Sequence, residues 1–565
     1  MSVVNQVLGK NSTLLQVPFL NLMSNLQERS GRVNVRVGGN TQETAQMVDS
    51  TPDGRILEKN ITGASNPTQT PPIIYTPDLL YMMANISTFV NVHWFIGVPF
   101  LLPDTATRLA ITDKGYKILG DHLMGIQVGN EPDLYQRHQH FTTYGPTNYY
   151  QDFGTYIQDM VTANLPGQNL LVGPNLAYAD WTTEQVWDTG FVSTYNQNLA
   201  FLSVENYPTD NCAAQFNTGG TIQDPQTIFP NFLSHTAQYS GHSIIQKFLN
   251  STNFAMQNGK RLYMMETNTG SCGGFPGISD AFGSALWGLD YAFQMAFNNF
   301  AGAMIHVGGQ NVFYNPFTPP PTNQSTFHQW TVGPTYYTAL VAAESLGPSN
   351  GTQVLDLGAN GANDFTPCYG FYENGAPVRV GCINYVTDST GASDLKVQIA
   401  IGGSGIGQPN QSPASVKVKY LLAGSVSQKG NFTWAGQTFG DNFASDGRPV
   451  GNINITTIPC DSTTNLCTVP VPAPSYALIY LTDTSLNEPG GAATQTFSTT
   501  VQTRYRNTAT IDQAVLATSN GGYGKKLGST SAGSTSAAVN MRTPGLVSVL
   551  ALVTGLGLLQ RVVRR

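Results

Sequence analysis

The sequence contains few charged residues. Asp, Glu, Lys and Arg make up 11% of its 565 residues, against about 25% in an average soluble protein. So little charge argues against a coiled coil or a disordered tail, and the net charge of −7 disfavours nucleic acid and anionic lipid as partners. Plentiful glycine and proline instead indicate a loop-rich protein, long enough for two or three domains.

Metal-binding and cofactor-binding signatures are also missing. The six cysteines show neither C-x-x-C nor Cys/His ligand spacing, and the Gly-rich stretch 402–407 matches neither a dinucleotide nor a phosphate loop. The sequence therefore predicts no metal and no cofactor. We expect disulfides instead, with Cys460–Cys467 closing a hairpin and with Cys368–Cys382 and Cys212–Cys272 as further candidate pairs.

The two ends of the chain give different signals. Residues 1–10 lack a basic segment followed by an apolar one, so no secretory signal is visible. Apolar residues 545–559 follow a Ser/Gly/Ala-rich stretch and precede a basic end, which fits a lipid-anchor (GPI) signal or a single membrane span. Sequons favour a secreted or surface-attached glycoprotein, and they lie at Asn11, Asn60, Asn85, Asn250, Asn323, Asn350, Asn410, Asn431 and Asn454.

Two stretches share one pattern, in which an apolar run leads to a glutamate and a turn. Glu131 follows the run 123–128 and precedes Pro132, and Glu266 ends the run 261–266 ahead of Gly270. Either glutamate alone would more often be a solvated loop residue or a helix cap. A (β/α)8 barrel, however, uses two such strand ends to place a carboxylate pair at its catalytic face.

Residues 32–346 alternate apolar, strand-like runs with helix-like segments, as expected for such an α/β barrel. Segments 149–164 and 284–299 have the length and apolar spacing of covering helices. An eight-stranded barrel needs one strand more than we find, and residues 1–31 offer only a helix-like piece at 19–28. We interpret 1–31 as a truncated start, with the first strand and a signal peptide lost from the gene model. The predicted strands are 33–38, 92–98, 124–129, 170–173, 201–206, 262–266 and 303–308.

The pattern of the sequence changes after the helix-like segment 335–346. Residues 352–485 alternate β-branched or aromatic runs with Gly/Asn/Ser turns, which is typical of an antiparallel β-sandwich. Residues 486–540 are rich in Thr, Ser, Gly and Ala and are predicted to form a flexible stalk, and 541–565 form a hydrophobic tail. The clearest sandwich strands are predicted at 378–386, 395–401, 416–423 and 476–482.

Five motifs carry a family resemblance. VRVGGNTQE (35–43), IQVGNEPDLY (126–135), METNTGSCGG (265–274), HVGGQNVFYNPF (306–317) and CTVPVPAPSYALIYL (467–481) resemble fungal members of glycoside hydrolase family 79. That family contains β-glucuronidases and, more distantly, heparanase. The resemblance spans roughly residues 32–482. It implies a catalytic barrel with a β-sandwich, retention of anomeric configuration, Glu131 as acid/base and Glu266 as nucleophile.

The same resemblance suggests neighbours for the two glutamates. Arg36 would keep Glu266 ionised, with a purely structural ion pair as the alternative. Asn130 resembles the ligand of the sugar 2-hydroxyl, and Tyr207 either donates a hydrogen bond to the nucleophile or packs as an aromatic. Glu205, a third carboxylate on its strand, receives no role.

The sugar itself is less well indicated. A glucuronide's carboxylate needs donors, which the backbone N–H groups of the loop with Ser271 and Gly273 and the Tyr314 hydroxyl would offer. Characterised glucuronidases of the family have Tyr where this chain has Ser271, so a neutral β-glycoside is an alternative substrate. His306, in the last predicted barrel strand, is interpreted as core or pocket wall. We expect a retaining β-glucuronidase acting on glucuronic acid-containing glycans, with a catalytically silent cell-wall glycan-binding protein as the other possibility.

Overall fold

The computed structural model describes residues 3–510 except 61–70, 102–104, 139, 310–311, 321–329, 404–406, 487–495, 498–503 and 506–508. The predicted hydrophobic tail at 541–565 and most of the predicted stalk therefore lie outside the described residues. Within the described ranges, no helix has both the length and the apolar character needed to span a bilayer.

Seven parallel strands form the wall of a barrel. Each strand pairs with the next along the chain, in unbroken order from first to last. Parallel strands that are covered on both faces appear in a sequence as continuous apolar runs, and this is why they could be located from the sequence. The strands are β1 (Val33–Val37), β2 (Val92–Val98), β3 (Leu123–Val128), β4 (Leu171–Leu176), β5 (Leu199–Asn206), β6 (Leu262–Thr267) and β7 (Phe300–Ile305).

Helices cover the outside of this wall. Two of them begin with a proline, Pro146 and Pro334, whose fixed φ suits the first helical turn, and Gly31, in the left-handed conformation, caps the helix that ends at Ser30. The helices predicted at 19–28, 149–164, 284–299 and 335–346 are confirmed within three residues at each end. The longer helices are α1 (Val17–Ser30), α2 (Asp78–Val90), α3 (Thr105–Leu119), α4 (Pro146–Thr162), α5 (Leu249–Gln257), α6 (Phe282–Phe297) and α7 (Pro334–Leu346).

Shorter elements occupy the connections. Short strand pairs or triplets are formed by Gly9–Asn11 with Leu14–Leu15, by Ala45–Met47, Leu57–Lys59 and Ile73–Tyr75, by Phe317–Thr318 with Thr331–Val332, and by Arg504–Tyr505 with Ala509–Thr510. Short α-helical turns are Val4–Val7, Thr183–Trp187, Phe191–Tyr195, Cys212–Phe216, Pro225–Ile228, Gly241–Gln246, Ala359–Ala362 and Asp483–Leu486, and 3-10 turns are Asn40–Thr44, Gly120–His122, Pro132–Leu134 and Phe229–Phe232.

The barrel wall has a seam between β1 and β7. These are the two end strands of the sheet, and in the described part of the chain neither outer edge pairs with another strand. A cavity of about 490 Å³ runs along the seam, lined by both strands and by residues of α1, α6 and α7. The structure thus confirms the barrel architecture and the count of seven strands. The last strand begins and ends three residues earlier than predicted, so His306 follows its end.

The second domain is the predicted β-sandwich. Its larger antiparallel sheet has the order β8-β9-β10-β16-β12-β13, with β14 added to β12, and β11 and β15 form the second layer. A separate apolar core that includes Val397, Val418, Val469 and Ile479 fills the space between the layers. The strands are β8 (Gln353–Asp356), β9 (Cys368–Glu373), β10 (Ala376–Asn384), β11 (Leu395–Ile399), β12 (Ser415–Leu422), β13 (Thr433–Trp434), β14 (Thr456–Pro459), β15 (Cys467–Val471) and β16 (Ser475–Tyr480).

All three predicted disulfides are present. Cys368–Cys382 and Cys460–Cys467 lie in the sandwich, whereas Cys212–Cys272 joins two loops at the mouth of the barrel. The last of these connects the loop after β5 to the loop after β6, and it therefore restrains the loop that follows Glu266.

Two buried polar clusters attach the sandwich to the barrel. In the first, Glu344 of α7 accepts a hydrogen bond from Arg29 of α1 across 2.8 Å and contacts Lys419 and Tyr480 of the sandwich. Burial alone would raise the pKa of Glu344, but Arg29 and Lys419 outweigh it and hold the pKa at about 2. Because the buried carboxylate of Glu344 is stabilised by cations from both domains, this cluster fixes the position of the sandwich relative to the barrel.

The second cluster is centred on His235. Its Nδ1 lies 3.0 Å from Asp290 of α6, and its Nε2 lies 3.0 Å from Asp356 at the end of β8. Tyr385 of the sandwich donates to Asp290 across 3.1 Å. Burial opposes the charge on His235, but the hydrogen bonds to the two aspartates prevail and raise its pKa to about 10.

Candidate active site

The two glutamates singled out in the sequence lie at one mouth of the barrel. Glu131 comes three residues after β3 ends, and Glu266 is the penultimate residue of β6. Gly129 has φ +78, and a Cβ there would lie 3.0 Å from the Tyr135 hydroxyl, so only glycine fits this turn. Glu131 itself has φ +48, and its backbone N–H donates to Asn175 O across 3.1 Å. The turn thereby fixes the direction in which Glu131 leaves the strand.

Glu266 is surrounded by donors. Arg36 Nη1 donates to Oε2 across 2.6 Å, the Tyr207 hydroxyl donates to Oε1 across 2.8 Å, and His306 Nδ1 lies 3.1 Å from Oε1. Burial alone would raise the pKa of Glu266. The charges and hydrogen bonds of His306, Arg36 and Tyr207 outweigh burial and hold that pKa well below its usual value. Glu266 is therefore ionised over the whole physiological range.

Glu131 has the opposite environment. Its Oε2 is 3.4 Å from the Asn130 side-chain amide, a long contact. Burial is the main cause that raises the pKa of Glu131, to about 8, and the charges of Glu266 and Asp133 add to it against the opposing effect of Arg36. Glu131 is therefore protonated at neutral pH. Two neighbouring carboxyl groups with pKa values pushed apart in this way can act as an acid and a nucleophile.

Arg36 links the site together. Its side chain is 6% exposed, and besides Glu266 it contacts Glu205 Oε1, which lies 2.9 Å from Nη2. It also donates to Asn130 Oδ1 and to Gln127 Oε1. The contact between Arg36 of β1 and Glu266 of β6 connects β1 to the strand next to β7, on the other side of the seam. Four predicted site residues, Arg36, Asn130, Tyr207 and Glu266, are thus brought into direct contact.

Glu43 was missed by the sequence reasoning. Its Oε2 accepts hydrogen bonds from the backbone N–H groups of Phe100 and Leu101 across 2.9 and 3.1 Å, and its Oε1 accepts from the backbone N–H of Asn130. One carboxyl thus holds together the loops after β1, β2 and β3, including the residue before Glu131. Burial raises the pKa of Glu43 to about 7, although these donors oppose the rise. Its position within the motif at 35–43 was the available signal.

His306 makes a contact that the sequence reasoning did not anticipate. Because β7 ends at Ile305, His306 lies in the loop at the mouth of the barrel, where its Nδ1 contacts Glu266. Of the two predicted positions, core and pocket wall, it occupies the wall, because it lines the cavity along the seam.

The loop predicted to bind a substrate carboxylate lies beside the site. Cys212–Cys272 and the hydrogen bond from Ser271 N to Thr209 O hold this loop. Gly273 has φ +91, and its carbonyl accepts from Phe313 N across 2.7 Å. No hydrogen bond joins Ser271 or Gly273 to either glutamate in the described ranges.

Tyr314 lies beside two residues that contact Glu266, Tyr207 and His306. Its ring is buried, with its centroid 6.5 Å from the Tyr207 ring and 5.6 Å from the His306 ring. Among the described residues, no group of three or more His, Cys, Asp or Glu side chains is arranged to hold a metal ion. The substrate-binding roles of Ser271, Gly273 and Tyr314 stay predictions.

Comparisons with known proteins match both domains. Residues 368–478 match the family model described as the glycosyl hydrolase family 79 C-terminal beta domain. A β-glucuronidase from Aspergillus niger is 26% identical over 77% of this chain and 81% of its own length, and one from Neurospora crassa is 24% identical over 77% and 82%. A crystal structure of a 4-O-α-L-rhamnosyl-β-D-glucuronidase from Fusarium oxysporum superposes with a TM-score of 0.66, at 22% identity, over 82% of this chain and 92% of that one.

The barrel with its paired glutamates and the attached sandwich define a glycoside hydrolase. The family model covers the sandwich, and the β-glucuronidase relatives extend the match across most of the chain. Residues 368–478 have the C-terminal beta domain of glycoside hydrolase family 79, and most of the chain is similar to β-glucuronidases.

Proposed function

We propose that the protein is a retaining β-glycoside hydrolase that works by double displacement. Glu266 is the nucleophile and Glu131 is the acid/base. The observation that carries this proposal is the opposite ionisation of the two carboxyls, since the pKa of Glu131 is raised to about 8 while that of Glu266 is held low. A double displacement requires one carboxylate to attack while the other holds a proton.

The reaction has two steps. In the first, an oxygen of Glu266 attacks the anomeric carbon, the glycosidic bond breaks, and Glu131 gives its proton to the departing oxygen. Glu131 is then ionised and takes a proton from water as that water attacks the glycosyl ester. The sugar leaves with its original configuration, and both glutamates return to their first protonation states. Loss of the negative charge on Glu266 in the first step favours ionisation of Glu131, because Glu266 is one of the groups that raise its pKa.

Neighbouring residues assist in binding and orientation. Arg36 keeps Glu266 ionised and orients Oε2. Asn130 binds the sugar 2-hydroxyl, a contact that strengthens in the transition state, and its amide already has a fixed direction because it donates to Asn40 Oδ1 across 2.8 Å. Tyr207 orients Oε1 of the nucleophile.

The substrate we propose is a β-linked glucuronic acid residue of a glycan. The two curated relatives bear the name β-glucuronidase, and the Fusarium enzyme is named for a rhamnosyl-glucuronide. The Tyr314 hydroxyl and the backbone N–H groups of residues 271–274 would receive the sugar carboxylate. Ser271, which stands where a tyrosine is expected, favours a neutral β-glycoside as the second candidate.

A panel of aryl β-glycosides tests both candidates. The glucuronide should be hydrolysed at least tenfold faster than the glucoside, galactoside and xyloside. A preference for one of these three would establish the neutral alternative, and no turnover on any of them would favour a silent glycan-binding protein. Proton NMR of the first-formed product should show the β-anomer, and formation of the α-anomer would exclude retention.

Two substitutions test the assigned roles. Glu266→Ala should abolish turnover, by about 10⁴-fold or more. Glu131→Ala should spare substrates with good leaving groups, and azide should rescue it by attacking the glycosyl ester without a base. Glu28→Ala, at an exposed position on α1, serves as the control and should behave as wild type. Undiminished activity in either active-site variant would refute its role.

We also propose that the protein is extracellular, secreted or held at the cell surface. Nine sequons and three disulfides support this location, because disulfides persist in oxidising compartments. Residues 32–346 would be the catalytic domain and 352–485 its sandwich partner. Deglycosylation of the protein isolated from its source, followed by mass spectrometry, should show glycan at several of the sequons. A mass that is unchanged by the treatment would contradict the proposal.

A further inference from the structure

Glu205 is a third carboxyl beneath the catalytic pair. It lies on β5, directly opposite Glu266 of β6 in the strand register, and its side chain is fully buried. Neighbouring strands are about 4.8 Å apart, so the two carboxyls lie close together within the barrel. One cation, Arg36, contacts both, at 2.9 Å from Glu205 and 2.6 Å from Glu266.

The donors around these carboxyls are divided unequally. Glu266 has a neighbouring donor group at both oxygens, from Arg36, Tyr207 and His306. Glu205 is approached at Oε1 only, by Arg36 and by the Gln127 amide across 3.3 Å. Its Oε2 is buried and has no hydrogen-bond partner among the described residues. Burying an ionised carboxylate with one oxygen that accepts no hydrogen bond costs solvation free energy. A protonated carboxyl avoids this cost because it carries no net charge.

We propose that Glu205 is a positioning residue that stays protonated while Glu266 is ionised, and that its Oε1 holds the Arg36 guanidinium in place beside the nucleophile. The inference deepens the proposed function and depends on it. A neutral Glu205 accepts a hydrogen bond from Arg36 without neutralising the positive charge of the guanidinium. That charge then stabilises the ionised form of Glu266 alone.

The charged groups that face Glu205 support this state. They are Arg36 of β1, Glu131 and Asp133 from the loop after β3, and Glu266 of β6. Burial raises the pKa of Glu205 most, Arg36 lowers it, and the three carboxyls raise it further. With a single arginine among them, the site cannot hold Glu205 and Glu266 ionised together at low cost.

Two substitutions at this position separate charge from geometry. Glu205→Gln keeps a carbonyl oxygen as acceptor in a neutral side chain of the same shape. We expect its kcat/KM to stay within about threefold of wild type, with an unchanged pH profile. Glu205→Leu removes the acceptor and frees Arg36, so kcat/KM should fall more than tenfold and the acidic limb should move to higher pH as Glu266 loses its cation.

A control and a spectroscopic measurement complete the test. Ser203→Ala alters another fully buried polar side chain of β5 that has no partner among the described residues, and it should change neither kcat/KM nor the pH profile. Infrared spectra of Glu131→Gln, recorded at a pH well above the pKa of about 7 of Glu43 so that Glu43 is ionised, should retain the C=O band of a protonated carboxyl. That band should be lost when Glu205→Gln is added.

Any one of three results would overturn the inference. They are a loss of activity in Glu205→Gln as large as that in Glu205→Leu, a shifted pH profile in Glu205→Gln, and the absence of an infrared band from Glu205. The infrared measurement needs no turnover. It therefore still decides the state of Glu205 if the protein proves not to be a glycosidase, and the two proposals can fail separately.

Discussion

His306 Nδ1 and the Tyr207 hydroxyl meet at one oxygen of Glu266, at 3.1 and 2.8 Å from Oε1. The other oxygen of Glu266, Oε2, accepts a hydrogen bond from Arg36. Each carboxylate oxygen thus has its own fixed neighbours, contributed by the strand ends on both sides of the nucleophile and by β1. This division fixes the rotation of the carboxylate and keeps it ionised, which are the two conditions that a nucleophile must meet before substrate arrives.

Removing the Tyr207 hydroxyl should weaken Glu266 in its proposed role as nucleophile. A hydrogen bond to a charged group contributes about 1.5–3 kcal/mol, so Tyr207→Phe should lower kcat/KM by roughly 10- to 100-fold. The acidic limb of its pH profile should move upward, because Tyr207 is one of the groups that lower the pKa of Glu266. Steady-state kinetics across pH would measure both effects. Tyr150→Phe, which removes an exposed hydroxyl near Thr194, should change neither.

The pH profile should be broad on the acidic side and limited on the alkaline side. Glu131 must be protonated to assist departure of the leaving group, so kcat/KM should fall as pH rises through about 8, the raised pKa of this group. Glu266 imposes no limit near neutrality because its pKa is held low. Glu131→Gln should be slow and should lack the alkaline limb. An alkaline limb that survives this substitution would assign it to another group.

Glu43 should matter for stability. Glu43→Gln places an amide N–H₂ where backbone N–H groups now donate to a carboxylate. Leaving one such buried donor unsatisfied costs about 1–3 kcal/mol, and urea unfolding should register a loss of that size. Asp113→Asn, in an exposed helical ion pair with Lys117, should cost less than about 0.5 kcal/mol. Equal stability of the two variants would contradict the importance of the Glu43 contacts.

His235 should make the attachment of the sandwich depend on pH. Its pKa is raised to about 10 in the folded protein, from about 6.5 when unfolded. The stabilisation is therefore complete below pH 6.5 and is lost as pH rises toward 10. The stability advantage of wild type over His235→Gln should shrink across this window in chemical unfolding experiments. His140→Gln, at an exposed position, should show the same dependence above pH 7 as wild type.

Sequence patterns located the strands and the two glutamates at their ends for a simple physical reason. A strand covered on both faces needs a continuous apolar run, so a glutamate that ends such a run stands out against its background. Glu131 and Glu266 were therefore visible, as were the three cysteine pairs.

The partners of these residues were not visible. Arg36 contacts side chains that lie 91 to 230 residues away along the chain, and no local pattern encodes that distance. Glu205 faces Glu266 because the register between β5 and β6 shifts after Val204. Such an irregularity depends on how two distant strands fit together, so it could not be read from either strand alone.

The seam between β1 and β7 gives the Arg36–Glu266 pair a second consequence. Neighbouring strands elsewhere share a ladder of backbone hydrogen bonds, whereas here interior side chains connect β1 to β6, the strand next to β7: Arg36 contacts Glu266, and Asn34 donates to the Tyr263 hydroxyl across 3.4 Å. Acid that protonates Glu266 should therefore also weaken one of the contacts that hold β1 to the rest of the wall. Loss of activity at low pH and opening of the barrel become one coupled event, and amide hydrogen exchange along these two edges should accelerate in step with it.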